Sequence, residues 1–124
     1  MKILGIGIDI VENSRICKLL KNKRFINRIF SNSEILIANM IKDKKSYYSK
    51  RFAAKEAFAK SIGTGFRDDF NFKDISIINN KFGKPSFKIN EKIKKIIKKQ
   101  FKTTSFDFFL SISDEKKYSI AYVI

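Results

Sequence analysis

The sequence predicts an α+β domain. Three features carry that expectation: an alternating N-terminal strand, an Ala-dense helix in mid-chain, and a strand pair at the end, with no regular strand–helix–strand period linking them. The 124 residues fit one domain, taken as residues 1–124, and a chain of this length can bury a core without a disulfide or a metal. An apolar share of 44% beside a charged share of 31% is globular composition.

From Lys2 to Val11 the chain alternates, with Leu4, Ile6, Ile8 and Ile10 on one face and Gly5, Gly7, Asp9 and Val11 on the other. Asn13 to Phe30 sets Ile16, Leu19, Leu20, Ile26 and Ile29 at helical spacing and leaves Arg15, Lys18, Arg24 and Arg28 for solvent. Ser31 and Glu34 match a capping box, with Phe30 and Ile35 as its hydrophobic staple, and a helix runs from there to about Met40. Lys50 to Ile62 is a strong helix closed by Gly63. Asp74 to Ile78 and Ser86 to Ile89 read as strands around a turn, and Asn90 as a helix cap. Ile93, Ile96, Ile97 and Phe101 then mark an amphipathic helix whose outer face is nearly all Lys. Phe106 to Ser113 and Tyr118 to Ile124 form a terminal hairpin around Asp114–Lys117.

Composition removes several chemistries. The chain has no His, which excludes His-based triads, HExxH zinc sites and His general bases. The single cysteine, Cys17, allows no internal disulfide and no CxxC knuckle, and fits a reducing compartment. There is no apolar run of membrane-spanning length, and an acid appears by residue nine, so neither a membrane span nor a secretion signal is expected and the chain is placed in the cytoplasm. The 27 Lys+Arg against 12 Asp+Glu give a formal charge of +15, suited to nucleic acid, an anionic membrane, an acidic protein or a phosphorylated small molecule. Only five of these cations are Arg (Arg15, Arg24, Arg28, Arg51 and Arg67), and an excess made of Lys is as well explained by compositional drift as by a binding surface.

Four places can carry chemistry. Asp9 follows Gly7 on one strand face, where a bulky ligand could approach the backbone; the alternative is an ordinary surface acid on a solvated face. Glu56 shares a helix stripe with Phe52 and Lys60 on a helix that is small-sided and apolar almost all round. It is either the partner of Lys60 in an i,i+4 pair or a metal-ligating carboxylate with a lysine nearby for phosphate charge. Gly63-Thr64-Gly65 ends that helix with more backbone freedom than a stop requires, and its amides could cradle a phosphate. Gly83-Lys84-Pro85 is a turn first and a phosphate-side lysine second.

Taken in order, GIGIDIVENSRI, RFAAKEAFAKSIGTG, FGKP and FLSISDEKKYSIAYVI resemble the holo-[acyl-carrier-protein] synthase family of bacterial 4′-phosphopantetheinyl transferases over essentially the whole chain. The resemblance implies a twisted, mostly antiparallel sheet with a long helix packed on it, and a homotrimer whose active sites are shared between neighbouring subunits. It implies transfer of 4′-phosphopantetheine from coenzyme A to a serine of apo acyl carrier protein, with release of adenosine 3′,5′-bisphosphate, in support of fatty acid biosynthesis. Asp9 and Glu56 match the family's metal carboxylates, for which Mg²⁺ suits two hard oxygen ligands. Lys60 matches the lysine on the pyrophosphate. Arg51, Gly63, Thr64, Gly65, Gly83, Lys84 and Pro85 fall in the segments that line the coenzyme A site. Arg15, Lys18, Lys21, Arg24 and Arg28 match the basic face that docks the acidic carrier protein. The serine proton then passes to Glu56 or to a metal-bound water. Asp114 stands where many members carry His, and Asn13 where a hydrophobic residue is usual. Neither nucleic acid nor a membrane is expected as partner. The alternative of another class is a small basic nucleic-acid-binding module using Phe and Lys as stacking and phosphate contacts, which leaves Asp9 and Glu56 without a role.

Overall fold

A computed structural model describes residues 1–63 and 70–124; Thr64 and Gly65 of the expected phosphate cradle lie outside the described residues. The chain is α+β, as predicted. Strand β1 (Gly7–Glu12) leads into helices α1 (Asn13–Leu19), α2 (Lys23–Ile29), α3 (Asn32–Ala38) and the long α4 (Lys44–Ile62). A 3-10 turn at Phe72–Asp74 precedes β2 (Ile75–Asn79) and β3 (Pro85–Ile89), and α5 (Glu91–Phe101), β4 (Leu110–Asp114) and β5 (Tyr118–Val123) follow. Strands pair antiparallel throughout, as a three-stranded sheet in the order β1-β5-β4 and a β2-β3 hairpin.

Local signals explain most boundaries. The capping box forms as read: Ser31 Oγ accepts from the Glu34 amide and a Glu34 carboxylate oxygen accepts from the Ser31 amide. Asp43 caps α4 through the Ser46 amide, so this helix begins six residues before the expected Lys50. Gly63 ends it with φ 73°, a left-handed conformation that glycine adopts without a Cβ penalty. The helical run from Asn13 to Phe30 is two helices, because the Asn22 side chain accepts from the Arg24 and Phe25 amides and starts α2 afresh.

The Gly/Asp face of β1, read as solvated or open to a ligand, packs inward instead. Gly7 and Val11 are buried against α4, while Ile8 and Ile10 on the opposite face are 59% and 61% exposed. The reason is distance. A Cβ on Gly7 would stand 1.9 Å from the Ala57 carbonyl oxygen, and one on Gly5 equally close to that of Ser61. What approaches the bare backbone of β1 is the helix, not a ligand. Val11, Ile16, Phe30, Ala53, Ala57, Ala121 and Val123 belong to one core cluster, while Phe58, Ile75, Ile93 and Ile97 belong to a second. Among the described residues no helix is long and apolar enough to cross a membrane.

Candidate active site

Because β1 lies on α4 with Gly5 near Ser61 and Gly7 near Ala57, Asp9 arrives beside the turn that carries Glu56 and Lys60. Lys60 Nζ donates to Asp9 Oδ1 at 3.0 Å and to the Ile8 carbonyl at 3.1 Å. The Asp9 side chain is 13% exposed and that of Lys60 55%, so the pair runs from a largely covered carboxylate to an ammonium open to solvent. Burial pushes the half-buried Glu56 carboxyl up, and the Asp9 charge pushes it further, while Lys60 and Arg15 pull it back. Lys60 therefore bonds to the strand acid and not to Glu56 as the i,i+4 reading has it, and Glu56 lies within electrostatic reach of Asp9 with the positive charge nearby too weak to cancel its upward shift. Two carboxylates in that situation fit a divalent cation, which relieves both their repulsion and the burial of Glu56. Among the described residues no third acid joins them, so such an ion takes its remaining oxygens from water and substrate.

Of the residues singled out for coenzyme A, Arg51 and the Gly83-Lys84-Pro85 turn form a second feature on a different side of α4 from Glu56. Arg51 is buried, its Nη2 donating to Asn79 Oδ1 at 2.7 Å and its guanidinium carbon 3.6 Å from the centre of the Tyr47 ring. Its Nε is buried and finds no hydrogen-bond partner among the described residues, and burial lowers its proton affinity. Asn79 Nδ2 donates to the Gly83 carbonyl at 2.9 Å, and Asn80 Oδ1 accepts from the Phe82 and Lys84 amides, so the turn is held as a unit. A cleft of about 660 Å³ runs along this wall, lined by Tyr47, Lys50, Arg51, Gly83 and Pro85. Lys84 is exposed at its edge.

Arg15 and Lys18 on α1, Lys21 in the turn, and Arg24 and Arg28 on α2 are all exposed. The basic face thus spans two helices, not one, and Arg15 lies within electrostatic reach of Glu56. Phe25, Phe30, Phe58, Phe70 and Phe72 are buried, and the exposed aromatics Phe82, Phe109, Tyr118 and Tyr122 belong to neither α1 nor α2, which carry the basic face.

The sequence reading missed Lys55 and, though it singled out Asn13, missed what Asn13 does. Lys55, next to Glu56, is 0% exposed and bonds Glu34 Oε1 at 2.5 Å. Asn13 is buried, donates to the Glu115 and Lys116 carbonyls and accepts from Ser119 Oγ at 2.7 Å, clamping the hairpin turn onto the β1–α1 junction. Asp114 accepts from Ser46 Oγ at 3.1 Å and ties the same hairpin to the start of α4. A signal for Lys55 was present: it is a cation flanked by Ala53, Ala54 and Ala57 on a helix with little room for solvent.

Residues 5–123 match the family model of the 4′-phosphopantetheinyl transferase superfamily. A holo-[acyl-carrier-protein] synthase of Pelagibacter ubique is 73% identical over 124 residues, covering 100% of this chain and 97% of that protein. The crystal structure of holo-[acyl-carrier-protein] synthase from Neisseria meningitidis superposes with a TM-score of 0.89 at 39% identity, over 98% of this chain and 97% of that one. That of the Bacillus anthracis synthase, in complex with CoA (3′,5′-ADP), gives 0.80 at 36% identity, over 98% and 94%. Fold and sequence together define a phosphopantetheinyl transferase, an enzyme. Within that superfamily the chain belongs to the holo-[acyl-carrier-protein] synthase family.

Proposed function

We propose that this protein transfers 4′-phosphopantetheine from coenzyme A to a serine of an acidic apo acyl carrier protein in the cytoplasm, with Mg²⁺ held by Asp9 and Glu56, in support of fatty acid biosynthesis. The observation that carries the site is the convergence of those two acids from β1 and α4, with Lys60 on Asp9 and Glu56 pushed toward its protonated form. Bound there, Mg²⁺ would polarise the phosphate oxygens and offset the charge that develops on them.

The residues of the chain do the rest. The serine oxygen bonds to the phosphorus that carries pantetheine; the bond from that phosphorus to the bridging oxygen breaks, and adenosine 3′,5′-bisphosphate leaves with the electron pair. The serine proton goes to Glu56 or to a water that the metal would hold, in a chain without His. Lys60, half exposed, supplies positive charge to the phosphate oxygens. Arg51, Gly63 and the Gly83-Lys84-Pro85 turn bind the nucleotide part of coenzyme A, with Thr64 and Gly65 of the adjoining segment. Arg15, Lys18, Lys21, Arg24 and Arg28 receive the carrier protein and raise the association rate more than the final affinity.

The functional unit is a homotrimer of this single 1–124 domain. Ile6, Ile8, Ile10, Tyr118, Ile120 and Tyr122 form an exposed apolar stripe across β1 and β5, the kind of surface a second copy covers. Arg51 and Glu56 stand roughly 140° apart around α4, so a nucleotide wall from one subunit meets the acids of the next more readily than its own. The test is mass spectrometry of an apo carrier protein after incubation with this protein, coenzyme A and magnesium: an added phosphopantetheine is expected, and an unmodified carrier rejects the function. A sedimentation mass of one protomer rejects the trimer alone.

A further inference from the structure

Lys55 is the most deeply buried cation among the described residues, and the transfer chemistry makes no use of it. Its three ammonium protons have three acceptors: Glu34 Oε1 at 2.5 Å, the Ile29 carbonyl at 2.9 Å and the Phe72 carbonyl at 3.1 Å. Glu34 is as fully used. Oε1 also accepts from the Ser31 amide at 2.9 Å, and Oε2 from the Ile77 amide at 3.0 Å, while its carbonyl accepts from Tyr47 Oη at 3.0 Å. One ion pair thereby joins the end of α2, the cap of α3, α4, the 3-10 turn and β2. Saturated in this way, Lys55 can act neither as a base nor on a substrate. Its bonds do determine which way α4 faces, because Glu56 is the next residue, roughly 100° round the helix, and Arg51 lies one turn before. The Tyr47 ring that Glu34 holds by its hydroxyl is the one on which Arg51 stacks, and β2, held at Ile77, ends at the Asn79 that receives the Arg51 guanidinium.

We infer that the buried Glu34–Lys55 pair is a positioning device for the reaction, fixing the rotation of α4 so that Glu56 meets Asp9 and Arg51 meets the Asn79–Pro85 turn. Well-packed apolar side chains in place of a buried ion pair often leave stability unchanged or raise it. Orientation, more than stability, is therefore what the charges supply here. The inference rests on the functional reading above.

The test is the double variant Glu34→Gln/Lys55→Met, which leaves no uncompensated charge; its single amide oxygen serves one of the Ser31 and Ile77 amides and leaves the other without its acceptor. It is compared with the wild-type trimer in melting temperature, transfer kinetics and affinity for adenosine 3′,5′-bisphosphate. The expected result is a folded variant that melts below wild type but above the single Lys55→Met variant, with kcat lowered at least tenfold, nucleotide Kd raised severalfold, and KM for the carrier within twofold of wild type, since α1 is anchored through Asn13. A folded variant with wild-type kcat and nucleotide Kd overturns the inference. So does one in which all three constants deteriorate in proportion to a lost melting temperature. A wild-type protein that binds the nucleotide but transfers nothing breaks the functional reading instead, and the pair is then judged on the nucleotide affinity, where an unchanged Kd in the double variant overturns it.

Discussion

Lys55 and Glu56 are neighbours on one helix and live in opposite electrostatic regimes. Around Lys55 every charge is answered: a carboxylate, two carbonyls and two amides converge on one ion pair out of reach of water. Around Glu56 the account is left open, with Asp9 within electrostatic reach and Lys60 bonded to Asp9 and not to Glu56. The difference separates architecture from chemistry. A closed network spends its charges on holding elements together, whereas a deficit of positive charge leaves carboxylate oxygens free for an ion and a substrate.

Four changes would break or sharpen that contrast, from the largest effect to the smallest. Asp9→Ala and Glu56→Ala each remove one of the two carboxylates, abolishing the deficit together with a ligand for the ion, and are expected to lower kcat by about 10³-fold each, with circular dichroism and melting close to wild type; near-normal rates would remove both from the site. Lys55→Met alone strips one partner from the closed network and leaves Glu34 buried and uncompensated, which costs about 3–5 kcal/mol in urea unfolding. A loss below about 1 kcal/mol would mean that water reaches the pair. Gly7→Ala drives a methyl into the Ala57 carbonyl, 1.9 Å from the ideal Cβ. Because the obstacle is helix backbone, the expected destabilisation is about 1–3 kcal/mol, with transfer impaired beyond what stability explains, as β1 and Asp9 lift off α4.

The fourth is a matter of pH. The Glu56 carboxyl is raised in the folded protein, so the fold binds its proton more tightly than the unfolded chain does. Stability from that proton is complete below the ordinary Glu range and is lost as pH rises through the higher folded value. Without divalent ions, Glu56→Gln is therefore expected to melt slightly above wild type at neutral pH and level with it in acid. Magnesium is expected to raise the wild-type melting temperature and leave that of the variant alone. Differential scanning calorimetry at two pH values reads both effects; a variant that melts lower at neutral pH would place Glu56 in the closed regime after all.

Much of this was legible in the chain. The capping box at Ser31–Glu34, the Gly63 stop and the Asn90 cap are local patterns whose energetics are settled within a few residues, and they appear where the spacing puts them; the terminal hairpin forms as well, but its first strand starts at Leu110, four residues after the expected Phe106, and takes in Asp114. The candidate acids were legible as well, because an acid on an Ala-rich helix and an acid after two glycines are both out of place. The face of β1 was not. Alternation says that one side differs from the other, and Ile8 and Ile10 are on the exposed side. The bare side is inward because a helix backbone needs the space, and periodicity cannot see a helix fifty residues away.

The sequence by itself determined the elements, their caps, the chemistry excluded by the absence of His, and the two carboxylates around which a reaction can be built. Only the tertiary structure decided which strand face meets α4, that Lys60 answers Asp9 and not Glu56, and that Lys55 is sealed against Glu34. Those outcomes depend on distances between residues 21 to 51 positions apart in the chain. Burial and Coulomb energy are properties of the assembled surroundings, and no window of neighbouring residues contains them.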